Sequence, residues 1–202
     1  MFVDPGTVTP SAIYRLMISI IVPRPIAFVS TLGETGVPNL APFSYFAPLA
    51  SDPPLIAISI NTRADGPKDT LRNIRASGEF VVNIVDEPLL DRMVQTSGEW
   101  PYETNEFELA GIATTPSDLV KAPGVAESPA RLECRLEREV PLGDTTLVIG
   151  KIQRIHVRDE IVVDGLADAL RLRPVGRLGG NGYTVVREVV RRDRPRVARP
   201  TT

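Results

Sequence analysis

The sequence predicts a mainly β chain, a single-domain barrel with short helices packed outside it. Three observations carry that expectation. Strand-length apolar stretches recur along the whole chain, divided by Gly and Pro breaks. Segments with helical spacing are few and short. Two long alternating stretches, Arg131–Val140 and Thr146–Arg158, flank a Gly143-Asp144 turn and read as a long hairpin. The domain spans residues 1–190, and residues 191–202 form an Arg/Pro-rich tail.

The elements follow in order. Thr9 before Pro10 is an N-cap with proline at the first helical position, so a helix is expected over Ser11–Ile20 with Ile13, Leu16, Met17 and Ile20 on its apolar face. Pro23 and Pro25 end it, and Ile26–Leu32 has strand composition. Gly33–Gly36 is a hairpin turn into a second strand running through Phe46. After Asp52-Pro53-Pro54, the apolar run Leu55–Ile60 reads as a strand buried on both faces. Gly66-Pro67 opens a helix to Ser77, closed by Gly78, with Leu71 and Ile74 inward. Phe80–Val85 is a strand, and Pro88 begins a short helix carrying Leu89, Leu90 and Met93. Ser97–Pro129 is turn-rich, long enough to be a functional cover, and can hide short strands. Trp100, Tyr102 and Phe107 are its anchors, and Trp100 and Tyr102 can alternatively form a lid. Beyond the long hairpin come a short strand at Ile161–Val163, a helix over Leu166–Leu172, and strands at Pro174–Leu178 and Tyr183–Val190.

Composition excludes several function classes. With 202 residues, 43% hydrophobic and 24% charged, the chain can bury a full core, and a net charge of −2 gives no attraction to nucleic acid or an anionic membrane. Neither is expected as a partner. The tail carries five arginines from Arg191 onward and is read as disordered or subunit-packing rather than a nucleic-acid arm. No secretory leader is visible, and no apolar window is long enough to span a membrane, so the expected location is cytoplasmic. Cys134 is the only cysteine and shares a strand face with Leu132 and Leu136, which suits a buried small hydrophobe. His156 is the only histidine, so no metal site is expected. No G-x-S-x-G elbow, P-loop or strand-following G-x-G-x-x-G is present. A chain without a nucleophile or metal either borrows a cofactor or only binds something.

Two segments could take a ligand. Pro23–Ile60 is strand-like yet rich in small polar, aromatic and proline residues, including Asn39, Ser44, Tyr45 and Phe46, which suits a wall for a flat, polar-edged molecule. In NTRADGPKDTLRNI a buried strand ends at Asn61 and a helix starts with Lys68, Asp69 and Thr70 in its first turn. Free amides, the helix dipole, Arg63 and Lys68 favour a phosphate there. By itself the same segment also reads as a helix start capped by Asp65 or Asp69 beside solvated cations.

Together these segments resemble a known family. PRPIAFVST, NLAPFSYFAPLASDPPLIAISI and KDTLRNI, followed by ESPARLECRL, the IHV around His156 and RLGGNGY, are similar to the flavin reductase-like proteins of the FMN-binding split-barrel superfamily, flavoredoxins included. The resemblance spans Ile13 to Val186. It implies a split β-barrel and FMN, rather than FAD, as cofactor, with NAD(P)H as co-substrate. Ser30 and Thr31 would meet the phosphate and ribityl chain. Asn39 and the run Leu40, Ala41, Pro42, Phe43, Ser44, Tyr45 and Phe46 would line the isoalloxazine. Ser59 and Asn61 would pass the ribityl chain, and Lys68, Asp69 and Thr70 would form the phosphate-side turn. His156 and Tyr183 would lie near the ring or the nicotinamide, His156 being the one candidate for a catalytic group. The family also implies a homodimer and, as a partner, a flavin-dependent oxygenase.

The residues agree with that chemistry. An isoalloxazine needs an apolar face and donors along its polar edge, which Phe43, Tyr45, Phe46 or Leu40, Ser44 and strand amides can supply. Hydride transfer between two stacked cofactors asks for geometry rather than an acid or base. Other readings of single residues stand beside this one. Phe43 and Phe46 suit the core equally, His156 suits a structural hydrogen bond, and Arg177 suits a turn-side ion pair. Three functions share the barrel: an NAD(P)H:flavin reductase, a flavoredoxin-like electron carrier, and a binder of another phosphorylated ligand.

Overall fold

Residues 1–63 and 66–195 are described by the structure, a computed structural model. Asp65, the alternative helix cap, and residues 196–202 of the tail lie outside the described residues. The strands are β1 (Arg24–Pro25), β2 (Ala27–Leu32), β3 (Pro38–Phe43), β4 (Phe46–Ser51), β5 (Pro54–Asn61), β6 (Glu79–Ile84), β7 (Thr114–Thr115), β8 (Gly124–Val125), β9 (Ala130–Leu142), β10 (Thr145–Val157), β11 (Val162–Val163), β12 (Leu166–Ala167), β13 (Val175–Arg177) and β14 (Tyr183–Val185). The helices are α1 (Pro10–Ile20), α2 (Asp69–Ser77), α3 (Leu90–Thr96), α4 (Glu106–Leu109) and α5 (Ala169–Leu172).

Seven strands form one antiparallel sheet in the order β3-β2-β6-β9-β10-β5-β4. The expected second strand is in fact two, because Ser44 and Tyr45 leave β3 and enter β4 at the other edge of the sheet. Consecutive strands at opposite edges make the sheet curl into a split barrel. The Ser59 amide donates to the Tyr45 carbonyl at 2.9 Å and pins the crossing. Proline explains why these two strands are edges. Pro42 in β3 and Pro48 in β4 have no N–H to give a second neighbour.

Inside the barrel, Ala27, Val29, Phe43, Ile58, Phe80, Val82, Cys134 and Val148 pack with Leu71 and Ile74 of α2, which plugs one end. Thr9 caps α1 by accepting from the Ala12 amide at 3.2 Å, and Gly78 ends α2 with a left-handed φ of 69°. A second core lies on the outer face of β2 and β3, where alternation sends Phe28 and Leu40 to meet Leu89, Met93, Phe107 and Val175. Phe107 anchors the turn-rich segment as expected, and the hidden short strands are β7 and β8.

Three expectations are corrected. The apolar face assigned to α1 is not buried within the chain: Met17 and Ile20 are exposed, and the helix's buried residue is Ile18, which turns to the Arg24 wall and gives its carbonyl to that guanidinium. The helix expected over Leu166–Leu172 begins only at Ala169. Leu166–Ala167 instead pairs with Val162–Val163, and Asp168 caps the helix by accepting from the Leu170 and Arg171 amides. The last strand stops at Val185, where its partner β13 runs out.

Candidate functional site

One trough follows β3. At its first end, a hollow of about 60 Å³ is lined by Asn39, Ala41, Pro42, Phe43, Arg63, Lys68, Asp69, Thr70, Ser97, Trp100 and Glu106, among others. Sharing Pro42, Phe43 and Ser97 with it is a larger cleft of about 300 Å³ that continues past Ser44, Arg24, Met93, Arg177 and Tyr183. A third, apolar hollow of about 270 Å³ shares Ile18, Arg24 and Ser44 with the cleft and runs on to Tyr45 and Phe46. The split in the sheet creates this trough. Ala41–Phe46 carries the chain from one edge strand to the other, and its residues line every part of the trough.

The first end gathers two cations, Arg63 and Lys68, and two carboxylates, Asp69 and Glu106. Lys68 stands half-buried before α2, its Nζ 5.6 Å above the Phe43 ring. Burial, and then Arg63, push its ammonium below the ordinary lysine range. The Arg63 Nε is buried and has no partner among the described residues, while its guanidinium lies 3.8 Å from Asp69. Behind them is a closed polar network. The Asn39 amide donates to Thr70 Oγ1 at 3.0 Å and Thr31 Oγ1 at 3.3 Å, and the Asn73 amide donates to Thr31 Oγ1 at 3.1 Å. Tyr102 completes it by donating to Asn73 Oδ1 at 3.3 Å, with Arg72 stacked on its ring. Glu106, buried at the same end, accepts the Leu40 amide at 2.9 Å, and burial pushes its carboxyl above the usual range.

The cleft end is partly aromatic, with Tyr14, Phe43 and Tyr183 in its lining. Arg177 stacks 4.4 Å over the Tyr183 ring and donates to the Gly180 carbonyl at 2.5 Å. Arg24 is buried in the wall, its guanidinium spent on main-chain carbonyls and Ser44. Burial, and then the nearby Tyr14, push the Tyr45 phenol above its usual range, against the pull of Arg24.

Most sequence-singled residues converge on the trough. Asn39, Lys68, Asp69 and Thr70 line the first end; Ala41, Pro42 and Phe43 the middle; Ser44 and Tyr183 the cleft; and Tyr45 and Phe46 the far hollow. Phe43 serves twice, since its ring is also core. The others lie elsewhere. Thr31 is fully buried behind the wall, and Leu40 turns into the outer core. Ser30 is also fully buried, its hydroxyl donating to the Pro123 carbonyl at 2.5 Å. Ser59 reaches the crossing only through its amide, and Asn61 is exposed at the end of β5.

His156 stands apart, far along the β10 hairpin. Its Nε2 lies 2.6 Å from Glu133 Oε1, a carboxylate that also accepts the Asp118 and Leu119 amides at 2.9 and 2.6 Å. That is a structural tie of the 116–123 loop to the barrel. Asp118, Glu133 and His156 are close enough to hold a cation, but Arg154 binds Asp118 at 2.6 Å, and Glu133 spends both oxygens on amides. Sequence reasoning missed Arg24 and Glu106. Arg24 left one signal, a charged residue locked between Pro23 and Pro25 in an apolar stretch. Glu106 left none.

Comparison with known proteins places the chain. The model of the flavin reductase like domain matches residues 19–169. An uncharacterized protein of Halalkalibacterium halodurans is 42% identical over 205 residues, covering 98% of both chains. The structure of nitrilotriacetate monooxygenase component B from Bacillus cereus is similar at TM-score 0.92 and 38% identity, over 95% of this chain and 98% of that one. Pseudomonas fluorescens 2-nitrobenzoate 2-nitroreductase is similar at TM-score 0.86 and 32% identity, over 96% of each chain. The flavoredoxin of Desulfovibrio vulgaris shares the fold at TM-score 0.78 and 24% identity, over 95% of this chain and 97% of that one. The chain belongs to the flavin reductase like family, is a flavin-related oxidoreductase, and has that family's split-barrel fold.

Proposed function

We propose that this flavin reductase like protein binds FMN along the β3 trough and passes reducing equivalents from NADH or NADPH to the flavin. The observation that carries the reading is the trough itself, with a small pocket carrying Lys68 and Arg63 at one end and a larger, partly aromatic cleft at the other. The residues fit the cofactor. Lys68, Thr70 and the buried Arg63 Nε, which has no partner among the described residues, suit the phosphate. Phe43, Ser44 and Tyr183 would hold the ring, with main-chain groups of Ala41–Phe46 along its edge. The bound flavin would supply the two-electron chemistry. The chain binds it, orients it and keeps water from its face.

The first end favours FMN over FAD. Its hollow is small, and Asp69, Glu106 and Trp100 close it, so a terminal monophosphate fits where a second phosphate would face carboxylates. Exposed Tyr14, Met17, Ile20, Ile21 and Leu49 support a homodimer, which size-exclusion chromatography with light scattering tests directly. A flavin-dependent oxygenase is the proposed recipient of reduced flavin, and the cytoplasm the proposed location.

Anaerobic titration of the purified protein with FMN, followed by stopped-flow mixing with each nicotinamide, tests the reading. Saturable FMN uptake and bleaching of the bound flavin by NADH or NADPH are expected. A protein that takes up no FMN overturns it. Uptake without reduction by either nicotinamide replaces the reductase with a flavoredoxin-like carrier.

A further inference from the structure

Arg24 is a buried cation without an anion. The residue is 7% exposed, yet no carboxylate lies within ion-pair distance among the described residues. Nη1 donates to the carbonyls of Ile18 and Ile21, each at 2.7 Å, and Nη2 to the carbonyl of Leu178 at 3.0 Å. Nε points to Ser44 Oγ at 3.4 Å, at the crossing of the barrel split. The carbonyls at the end of α1 carry partial negative charge, which offsets only a fraction of a full positive one. A buried charge left unneutralised is costly, and its field in a low-dielectric wall reaches further than in water. Both the cleft and the apolar hollow include Arg24 in their lining, so that field falls across the trough.

We infer that Arg24 makes the trough prefer the reduced, negatively charged flavin over the oxidised, uncharged one. This rests on the flavin reading above. Hydride transfer moves two electrons and a proton from the nicotinamide to the flavin. The nicotinamide ring becomes positive, and the flavin gains one negative charge. A positive group fixed in the wall stabilises that product and not the reactant, and thereby raises the midpoint potential of the bound flavin. Arg177 faces the same cleft but sits at its rim, half-exposed against Tyr183, where solvent and salt screen it. Capping α1 needs only donors to carbonyls. The effect on flavin charge is what a purely structural arginine would not have.

The test uses the full chain with FMN under anaerobic conditions. Dissociation constants for oxidised and dithionite-reduced FMN are measured, with the midpoint potential by dye equilibration. Arg24→Gln should lower the ratio of reduced to oxidised affinity about tenfold, equivalent to about 30 mV for a two-electron couple. Arg24→Lys should keep most of the ratio, and Arg177→Gln should change it much less than Arg24→Gln. An unchanged ratio in a folded Arg24→Gln protein overturns the inference and leaves the flavin reading standing. So does an equal loss in Arg177→Gln, which assigns the effect to the overall charge of the cleft. Should Arg24→Gln not fold, wild type and Arg24→Lys carry the test. Both should bind reduced FMN more tightly than oxidised FMN, and the opposite order in wild type overturns the inference. A wild type that binds neither form overturns the flavin reading and this inference together.

Discussion

The Asn39 carboxamide donates to the Thr70 hydroxyl at 3.0 Å, tying an edge strand of the barrel to the first turn of α2 where the first end of the trough opens. Both residues are buried, and Thr31 and Asn73 continue the network behind them. The wall and the first end are therefore held in register by hydrogen bonds rather than by packing alone.

Removing the hub of that network should cost stability. Thr31 Oγ1 accepts from two buried amides, and Thr31→Val keeps the shape while taking the acceptor from Asn73 and leaving Asn39 with Thr70 alone. A loss of about 1–3 kcal/mol is expected, read as a lower urea midpoint at unchanged m-value. A midpoint equal to wild type would show the amides finding other partners.

Lys68→Ala should weaken FMN binding by about 1–3 kcal/mol, the range for a charge-assisted hydrogen bond. Riboflavin, which lacks the phosphate, should bind wild type and variant alike. Fluorescence titration with both ligands separates a phosphate contact from a general loss of the site. Equal weakening for the two ligands would remove Lys68 from the phosphate.

Acid should release the 116–123 loop. Burial pushes Glu133 up, but the Asp118 amide, the His156 ring and the Leu119 amide outweigh it and hold the carboxyl below the usual range. A depressed folded pKa gives stability that is present above the unfolded value, near 4.5, and lost as pH falls through the folded value. Glu133→Gln should abolish that part of the acid dependence and lower stability at neutral pH. Thermal melts between pH 3 and 7 check both, and parallel melting curves for the two proteins would refute the tie.

Gly150 lies in β10 where a methyl group would collide with the buried Phe80 ring. Gly150→Ala should destabilise by about 1–3 kcal/mol through overpacking. Pairing it with Phe80→Leu should recover part of the loss, and a double mutant showing simple additivity would argue against the clash.

The long hairpin, α2 with its glycine stop, and the buried strand β5 were legible because each rests on local chemistry: alternation, capping and apolar continuity. The face of α1 was misread because helical spacing shows which residues share a side, not what covers that side. The strand expected through Phe46 was misread for a related reason. Nothing local at Ser44-Tyr45 announces that the chain changes sheet edges.

For the candidate site, the sequence by itself determined which segments to look at. The wall Pro23–Ile60 and the helix start Lys68–Thr70 were identifiable from residue type and order, because prolines, small polar groups and a helix start are written locally, and the family resemblance narrowed the wall to Ala41–Phe46. Only the tertiary structure decided which side chains face the trough. Pleating sends neighbours to opposite sides, so Leu40 goes to the outer core while Ala41 faces the trough. Ser30 and Thr31 are drawn into buried bonds, with Pro123 far along the chain and with Asn39 and Asn73. Arg24 enters through partners as distant as Leu178. A residue's exposure and charge environment depend on groups remote in sequence, and those are fixed only when the barrel closes around its split.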